Sequence, residues 1–115
     1  MIVIDASVVV AALLSSSGDG ALARETLLRD GDLHAPHLLH VEVLSAVRRL
    51  NSGLLDVAPT TRAVHALGAL AVTGYAHISL LGRAWELREN VSAYDAVYVA
   101  LAEALGCALL TSSRP

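Results

Sequence analysis

Three carboxylates, Asp5, Glu42 and Asp95, each interrupt a segment otherwise suited to burial, and any fold for this chain must find a place for them. Asp5 ends the run Met1-Ile2-Val3-Ile4. Glu42 stands between Leu38-Leu39-His40-Val41 and Val43-Leu44, and Asp95 lies within Ser92-Ala93-Tyr94-Asp95-Ala96-Val97-Tyr98-Val99-Ala100-Leu101-Ala102. A buried carboxylate is costly unless it is protonated, paired or bound to a metal. Three that converge on one pocket repel each other and are stabilised best by a divalent cation, so a magnesium or manganese site is expected. Each residue also has a plainer reading. Asp5 or Ser7 can cap the helix that follows, and Ser92 with Asp95 fits a capping box. Glu42 has Leu38 and Ala46 four residues to either side, which puts it on an apolar helix stripe rather than a solvated face. Three caps have no reason to share one pocket, and that favours a site over three separate structural roles.

The 115 residues suit a single domain over 1–115 with a core of its own. A hydrophobic share of 55%, a charged share of 17% and a mean hydropathy of +0.58 exclude disorder; they point to a sheet buried on both faces or to tight oligomerisation. All eight cationic residues are arginine, and the net charge of −3 argues against a broad nucleic-acid coat while leaving room for a local arginine groove. One cysteine, Cys107, cannot form an internal disulfide, which fits a reducing cytoplasm. The apolar stretch Met1 to Leu14 has no positive n-region and is cut by Asp5, unlike an export signal. No run reaches the roughly 20 apolar residues of a membrane span.

Patterning predicts a strand over Met1 to Ile4, a helix over Val8 to Leu14, a loop over Ser15 to Gly20 and a helix over Ala21 to Leu28. A strand around Leu33 to Ala35 follows. Pro36 then opens a helix to Leu50 that Asn51-Ser52-Gly53 closes. Thr60 or Thr61 caps a helix through Leu70, a strand spans Gly74 to Ile78 and a helix Leu80 to Arg88. Ser92 caps a helix to Leu105, and Gly106 stops it before a strand over Cys107 to Thr111. Such alternation implies right-handed crossovers and a mostly parallel, helix-covered sheet with its site at the carboxyl ends of the strands. Asp5, Thr111, Ser112 and Ser113 lie at such ends, and early helical turns can bring Glu42 and Asp95 there.

Taken in order and spacing, Met1-Ile2-Val3-Ile4-Asp5-Ala6-Ser7-Val8-Val9-Val10, Val41-Glu42-Val43-Leu44-Ser45-Ala46-Val47-Arg48-Arg49, Ser92 to Ala102 and the closing Leu109-Leu110-Thr111-Ser112 resemble the PIN domain of VapC-type toxins across essentially the whole chain. The resemblance implies a three-layer α/β/α fold and a metal-dependent endoribonuclease acting on RNA. It also implies a toxin that forms a homodimer and is held inactive by a cognate antitoxin. Asp5 and Asp95 would hold Mg2+ or Mn2+, and Glu42 would orient a water. The family usually carries a further acid after Leu-Thr-x and then a last edge strand. Here Ser113 takes the acidic position and Pro115 closes the sequence, so Thr111 and Ser113 offer only hydroxyl support. A catalytically impaired binding module that docks an antitoxin without cleaving RNA is the alternative, and a DNA or flap-type nuclease is a remoter one.

Other residues rank lower. His34, His37 and His40 have a spacing compatible with zinc, but a strand-to-helix junction would scatter them. Arg48 and Arg49 suit the C-terminal end of a helix as well as they suit RNA. Trp85, Tyr75, Tyr94 and Tyr98 read as core or dimer contacts rather than base-stacking platforms.

Overall fold

Ile2–Ile4 forms strand β1, and its neighbours explain why its side chains are apolar throughout. The strand lies between two others, so Val3 and Ile4 are fully buried. On one side it pairs in parallel with β2 (Leu33–Pro36) through Ile2↔Leu33 and Val3↔His34. On the other it pairs with β4 (Ala108–Leu110) through Ile2↔Ala108, Val3↔Leu109 and Ile4↔Leu110. Strand β3 (Val72–Tyr75) completes a four-stranded parallel sheet in the order β3-β2-β1-β4. The computed structural model describes residues 1–50 and 57–112.

Helices α1 (Ala6–Leu14) and α2 (Gly18–Asp30) join β1 to β2, and α3 (Leu38–Leu50) and α4 (Val57–Ala69) join β2 to β3. Both connections step the same way across the sheet. A 3₁₀ turn (Ile78–Leu80), α5 (Leu81–Glu86) and α6 (Ala93–Leu105) then carry the chain back over two strands to β4. Right-handed crossovers place these two sets of helices on opposite faces, giving three layers. The core is α/β throughout: Val3, Ile4, Leu33 and Ala35 of the sheet pack with Leu39, Val43 and Val47 of α3 and with Ala96, Val97, Ala100 and Leu101 of α6. The direction of winding reverses between β1 and β4. A parallel sheet opens a crevice outside the strand ends at such a reversal, and Asp5 and Thr111 stand there.

Several boundaries differ from the pattern-based ones for tertiary reasons. Pro36 ends β2 instead of opening α3, which starts at Leu38. His37 N–H donates to Tyr75 O at 2.8 Å, so an N–H at position 36 would face the β1 side, where pairing has already stopped at His34. The missing donor therefore costs no ladder bond. The stretch Ser15 to Gly20 is shorter as a loop, because α2 begins at Gly18. A Cβ on Gly20 would lie 2.2 Å from Ser15 O and 2.9 Å from Ala11 O, and this bare backbone is what lets α2 close on α1. Helix α4 begins at Val57, so Thr60 and Thr61 lie inside it, and Pro59 falls in the first turn, where an N–H has no helical partner. Strand β3 covers Val72–Tyr75 rather than 74–78, its register set by β2. Ser92 and Gly106 bound α6 as expected; Gly106 takes φ 66°. The closing signal at Asn51-Ser52-Gly53 lies outside the described residues.

Two glycine substitutions separate packing from propensity. Gly20→Ala should lower the urea midpoint, because overpacking against backbone costs about 1–3 kcal/mol and exceeds the gain in helix propensity. Gly68→Ala, where a Cβ meets nothing within 4 Å, should raise it, through a stability gain of up to about 1 kcal/mol.

Candidate active site

Asp5 is placed by the sheet and held by the first turn of α1. Its N–H donates to Leu110 O at 3.2 Å, tying the end of β1 to the end of β4. Its carboxylate is buried, and Oδ1 accepts from Ser7 Oγ at 2.5 Å and from Val8 N–H at 3.2 Å. Asp5, not Ser7, is therefore the N-cap of α1. Ser7 does something else. Since its one hydroxyl proton goes to Asp5, its lone pairs accept from Ser112 N–H at 3.0 Å and from the Thr111 hydroxyl at 3.3 Å. The serine thus fixes the segment after β4 against the acid after β1.

Asp95 occupies the first turn of α6, where its N–H donates to Ser92 Oγ at 3.2 Å. No hydrogen bond among the described residues uses its carboxylate, so the reciprocal half of a capping box is absent and the acid is left exposed toward a cavity. Asp5, Asp95, Tyr98 and Thr111 line that cavity, with Val91, Val99 and Leu109. Glu42, half-buried in the second turn of α3, borders an adjoining hollow with Ser45, Arg49 and Tyr94. Tyr98 connects the two spaces: its Oη donates to Glu42 Oε1 at 2.7 Å, and the same residue lines the cavity with Asp5 and Asp95. Among the described residues, no three acidic, histidine or cysteine side chains close into a ready-made ion cage.

The acids nevertheless feel one another. Burial raises the Glu42 pKa above the ordinary carboxyl range, and the charges of Asp95 and Asp5 push it the same way against the opposing Tyr98 hydrogen bond. Burial, followed by the Glu42 bond and the same carboxylates, drives the Tyr98 pKa far upward, so the phenol stays a donor. Only oxygen donors meet here, which is the chemistry of a hard cation that keeps several waters and takes one or two carboxylates.

His34, His37 and His40 form no metal cluster. His34 is buried with both ring nitrogens engaged, Nδ1 with Tyr75 Oη at 2.7 Å and Nε2 with Asp32 Oδ1 at 2.8 Å. Tyr98 belongs to the core, whereas Trp85 and Tyr94 are exposed, which removes the core half of the core-or-dimer reading of those two rings. Ser113 lies outside the described residues.

The chain matches the PIN domain family over residues 2–113. It is 50% identical over 113 residues to Ribonuclease VapC9 of Mycobacterium tuberculosis, covering 97% of this chain and 85% of that protein. The chain belongs to the VapC-type PIN-domain ribonucleases. Ribonuclease VapC1 of the same organism is 42% identical over 111 residues, covering 95% of this chain and 83% of its own length. Among solved structures, M. tuberculosis VapC20, described as a sarcin-ricin loop cleaving toxin, shares the fold at a TM-score of 0.73 and 16% identity, covering 98% of this chain and 92% of that one. PAE2754 from Pyrobaculum aerophilum does so at 0.70 and 24%, covering 98% and 74%.

Sequence reasoning assigned Ser7 and Tyr98 no part in this candidate site. A signal existed for Tyr98: it follows Asp95 by three residues, on one helix face, and a buried phenol needs a partner for its hydroxyl. Ser7 is marked locally only as a cap candidate, because its partners at 111 and 112 are distant in sequence.

The raised Glu42 pKa fixes a sign. The folded state binds the Glu42 proton more tightly than the unfolded chain, whose value lies near 4.5, so this group's stabilisation is complete below that pH and is lost as pH rises through the folded pKa. Glu42→Gln keeps an acceptor for Tyr98 and removes the loss. In metal-free buffer its melting temperature should exceed wild type at neutral pH, and the two should converge as pH falls toward 4. A constant difference across that window would show that Glu42 titrates in the fold as it does in the unfolded chain.

Proposed function

We propose that this chain is a magnesium- or manganese-dependent endoribonuclease that hydrolyses RNA phosphodiesters as the cytoplasmic toxin of a toxin–antitoxin pair, with residues 1–115 as one domain. Its acidic site is Asp5, Glu42 and Asp95. The observation that carries the reading is the shared cavity: Asp5 and Asp95 face one space at the winding reversal of a parallel sheet, and Glu42 reaches it through Tyr98. The identity to VapC ribonucleases over nearly the whole chain supports RNA as substrate and a cognate antitoxin as partner. A homodimer accounts for exposed apolar side chains such as Leu22, Leu28, Val41 and Leu44. No single described helix is long and apolar enough to cross a membrane.

Asp5 and Asp95 would hold the ion, which supplies charge relief for the phosphorane-like transition state and lowers the pKa of the attacking water. The protein's own groups do the rest. Ser7 and Val8 fix Asp5 Oδ1 and leave Oδ2 for the cavity. Tyr98 holds Glu42 Oε1, which leaves Oε2 to orient the water, and Thr111 supports from the end of β4. Removing metal with chelator should abolish cleavage. Manganese titrated by calorimetry should bind wild type and bind Asp5→Asn or Asp95→Asn more weakly by at least the roughly 10–100-fold that loss of an outer-shell partner costs. Equal binding by all three proteins would remove the ion from this site. An antitoxin arginine lodged among the acids would inhibit by excluding both ion and phosphate.

The second reading, a binding module with impaired catalysis, is favoured by Ser113 standing where the family resemblance has an acid. A hydroxyl brings no charge to a second ion. Ser113→Asp should therefore raise ribonuclease activity in magnesium. Equal activity of the two proteins would mean that three carboxylates suffice.

A further inference from the structure

The geometry points to a base-stacking subsite for single-stranded RNA, formed by Trp85 and Arg88 beside the acidic cavity; it rests on the ribonuclease reading above. Trp85, the chain's one tryptophan, is 67% exposed on α5. An indole left in solvent is out of keeping with a core role. It is also not left loose: the Arg88 guanidinium lies 4.4 Å from the indole centroid, and Arg88 Nη1 donates to Trp85 O at 3.0 Å. The pair is a preassembled contact of an indole and a guanidinium, the two kinds of group on which unpaired bases settle.

Charge separates Arg88 from its neighbour. Arg83 is neutralised by Glu103 through two hydrogen bonds of 2.8 and 3.0 Å, and by Glu86 at 3.4 Å. Among the described residues no carboxylate stands within ion-pair distance of Arg88. Its positive charge is therefore left for an incoming group, and each nucleotide brings both a phosphate and a π-face.

Position ties the stack to the reaction. Trp85 and Arg88 line a hollow with Leu81, Val91, Ser92 and Val97. Val91 also lines the cavity of Asp5 and Asp95, and Ser92 caps the helix that presents Asp95. A strand whose scissile phosphate sits at the acids reaches the indole by crossing Val91. The subsite selects for unpaired bases flanking the cut, because a base inside a duplex cannot open its face to the indole.

With one tryptophan in the chain, its fluorescence reads the subsite directly. The full-length protein in EDTA is titrated with a short single-stranded RNA of mixed sequence and with the same strand annealed to its complement, and gels of the samples report whether the RNA stays whole. Saturable quenching by the single strand and little by the duplex is expected. Trp85→Leu and Arg88→Gln should each weaken binding of end-labelled RNA by about tenfold, with Trp85→Phe recovering most of the loss and urea midpoints unchanged. In magnesium the same variants should raise KM and leave kcat near wild type. Unquenched emission, or equal quenching by the duplex, overturns the subsite. So does emission that shifts with protein concentration and ignores RNA, which would mean that a second copy covers the indole. An intact single strand in magnesium, with quenching preserved, would instead count against the ribonuclease reading alone.

Discussion

The pairing of β1 between β2 and β4 is the constraint on which the rest of this structure depends. Three residues of strand bury Val3 and Ile4 completely and, by their parallel register with Ala108–Leu110, bring the residue after β1 beside the residue after β4. Without that register Asp5 would be an ordinary helix cap. With it, the Asp5 N–H bonds Leu110 O, Ser7 reaches Thr111 and Ser112, and two segments about a hundred residues apart form one wall of a cavity. The reversal of winding direction at this point keeps the cavity open, because no crossover passes over it.

The opposite wall comes from α6, which lies across β1, β2 and β4 and is capped by Ser92. Its first turn projects Asp95, and the next turn buries Tyr98 against the core. Stability and chemistry pull against each other there. Burial and the fields of Asp5 and Asp95 disfavour a charged Glu42, whereas the Tyr98 hydroxyl favours it and fixes where one carboxylate oxygen points. Burial and neighbouring like charge thus hold the Glu42 pKa above its ordinary value while one hydrogen bond opposes them. The Tyr98 ring belongs to the core and its hydroxyl to the site, so packing in α6 and orientation of Glu42 are set by the same residue.

Much of this was legible in the residues. Carboxylates placed inside apolar runs singled out Asp5, Glu42 and Asp95, and alternation of strand and helix signals indicated a parallel sheet with its site at the strand ends. The Ser92 cap and the Gly106 stop located α6 almost to the residue. Reading failed where a distant partner overrode local chemistry. Pro36 extends β2 because its missing N–H faces a side where β1 has ended, and α2 starts early where Gly20 lies close against Ala11 and Ser15. Trp85 read as a core or dimer contact because size and apolarity are local properties, while its exposure is decided by what packs on top.

The amino-acid sequence by itself determined the kinds of element, the family to which they belong and the chemical character of the site, since propensity, capping and the cost of isolated charge are all short-range effects. Only the tertiary structure decided which groups meet. Ser7 became the link between the ends of β1 and β4, Tyr98 the donor to Glu42, and the indole of Trp85 a surface beside the acids. Each of those outcomes depends on strand register and on the face a helix turns toward its neighbours, and neither is encoded in the residues adjacent to the ones concerned.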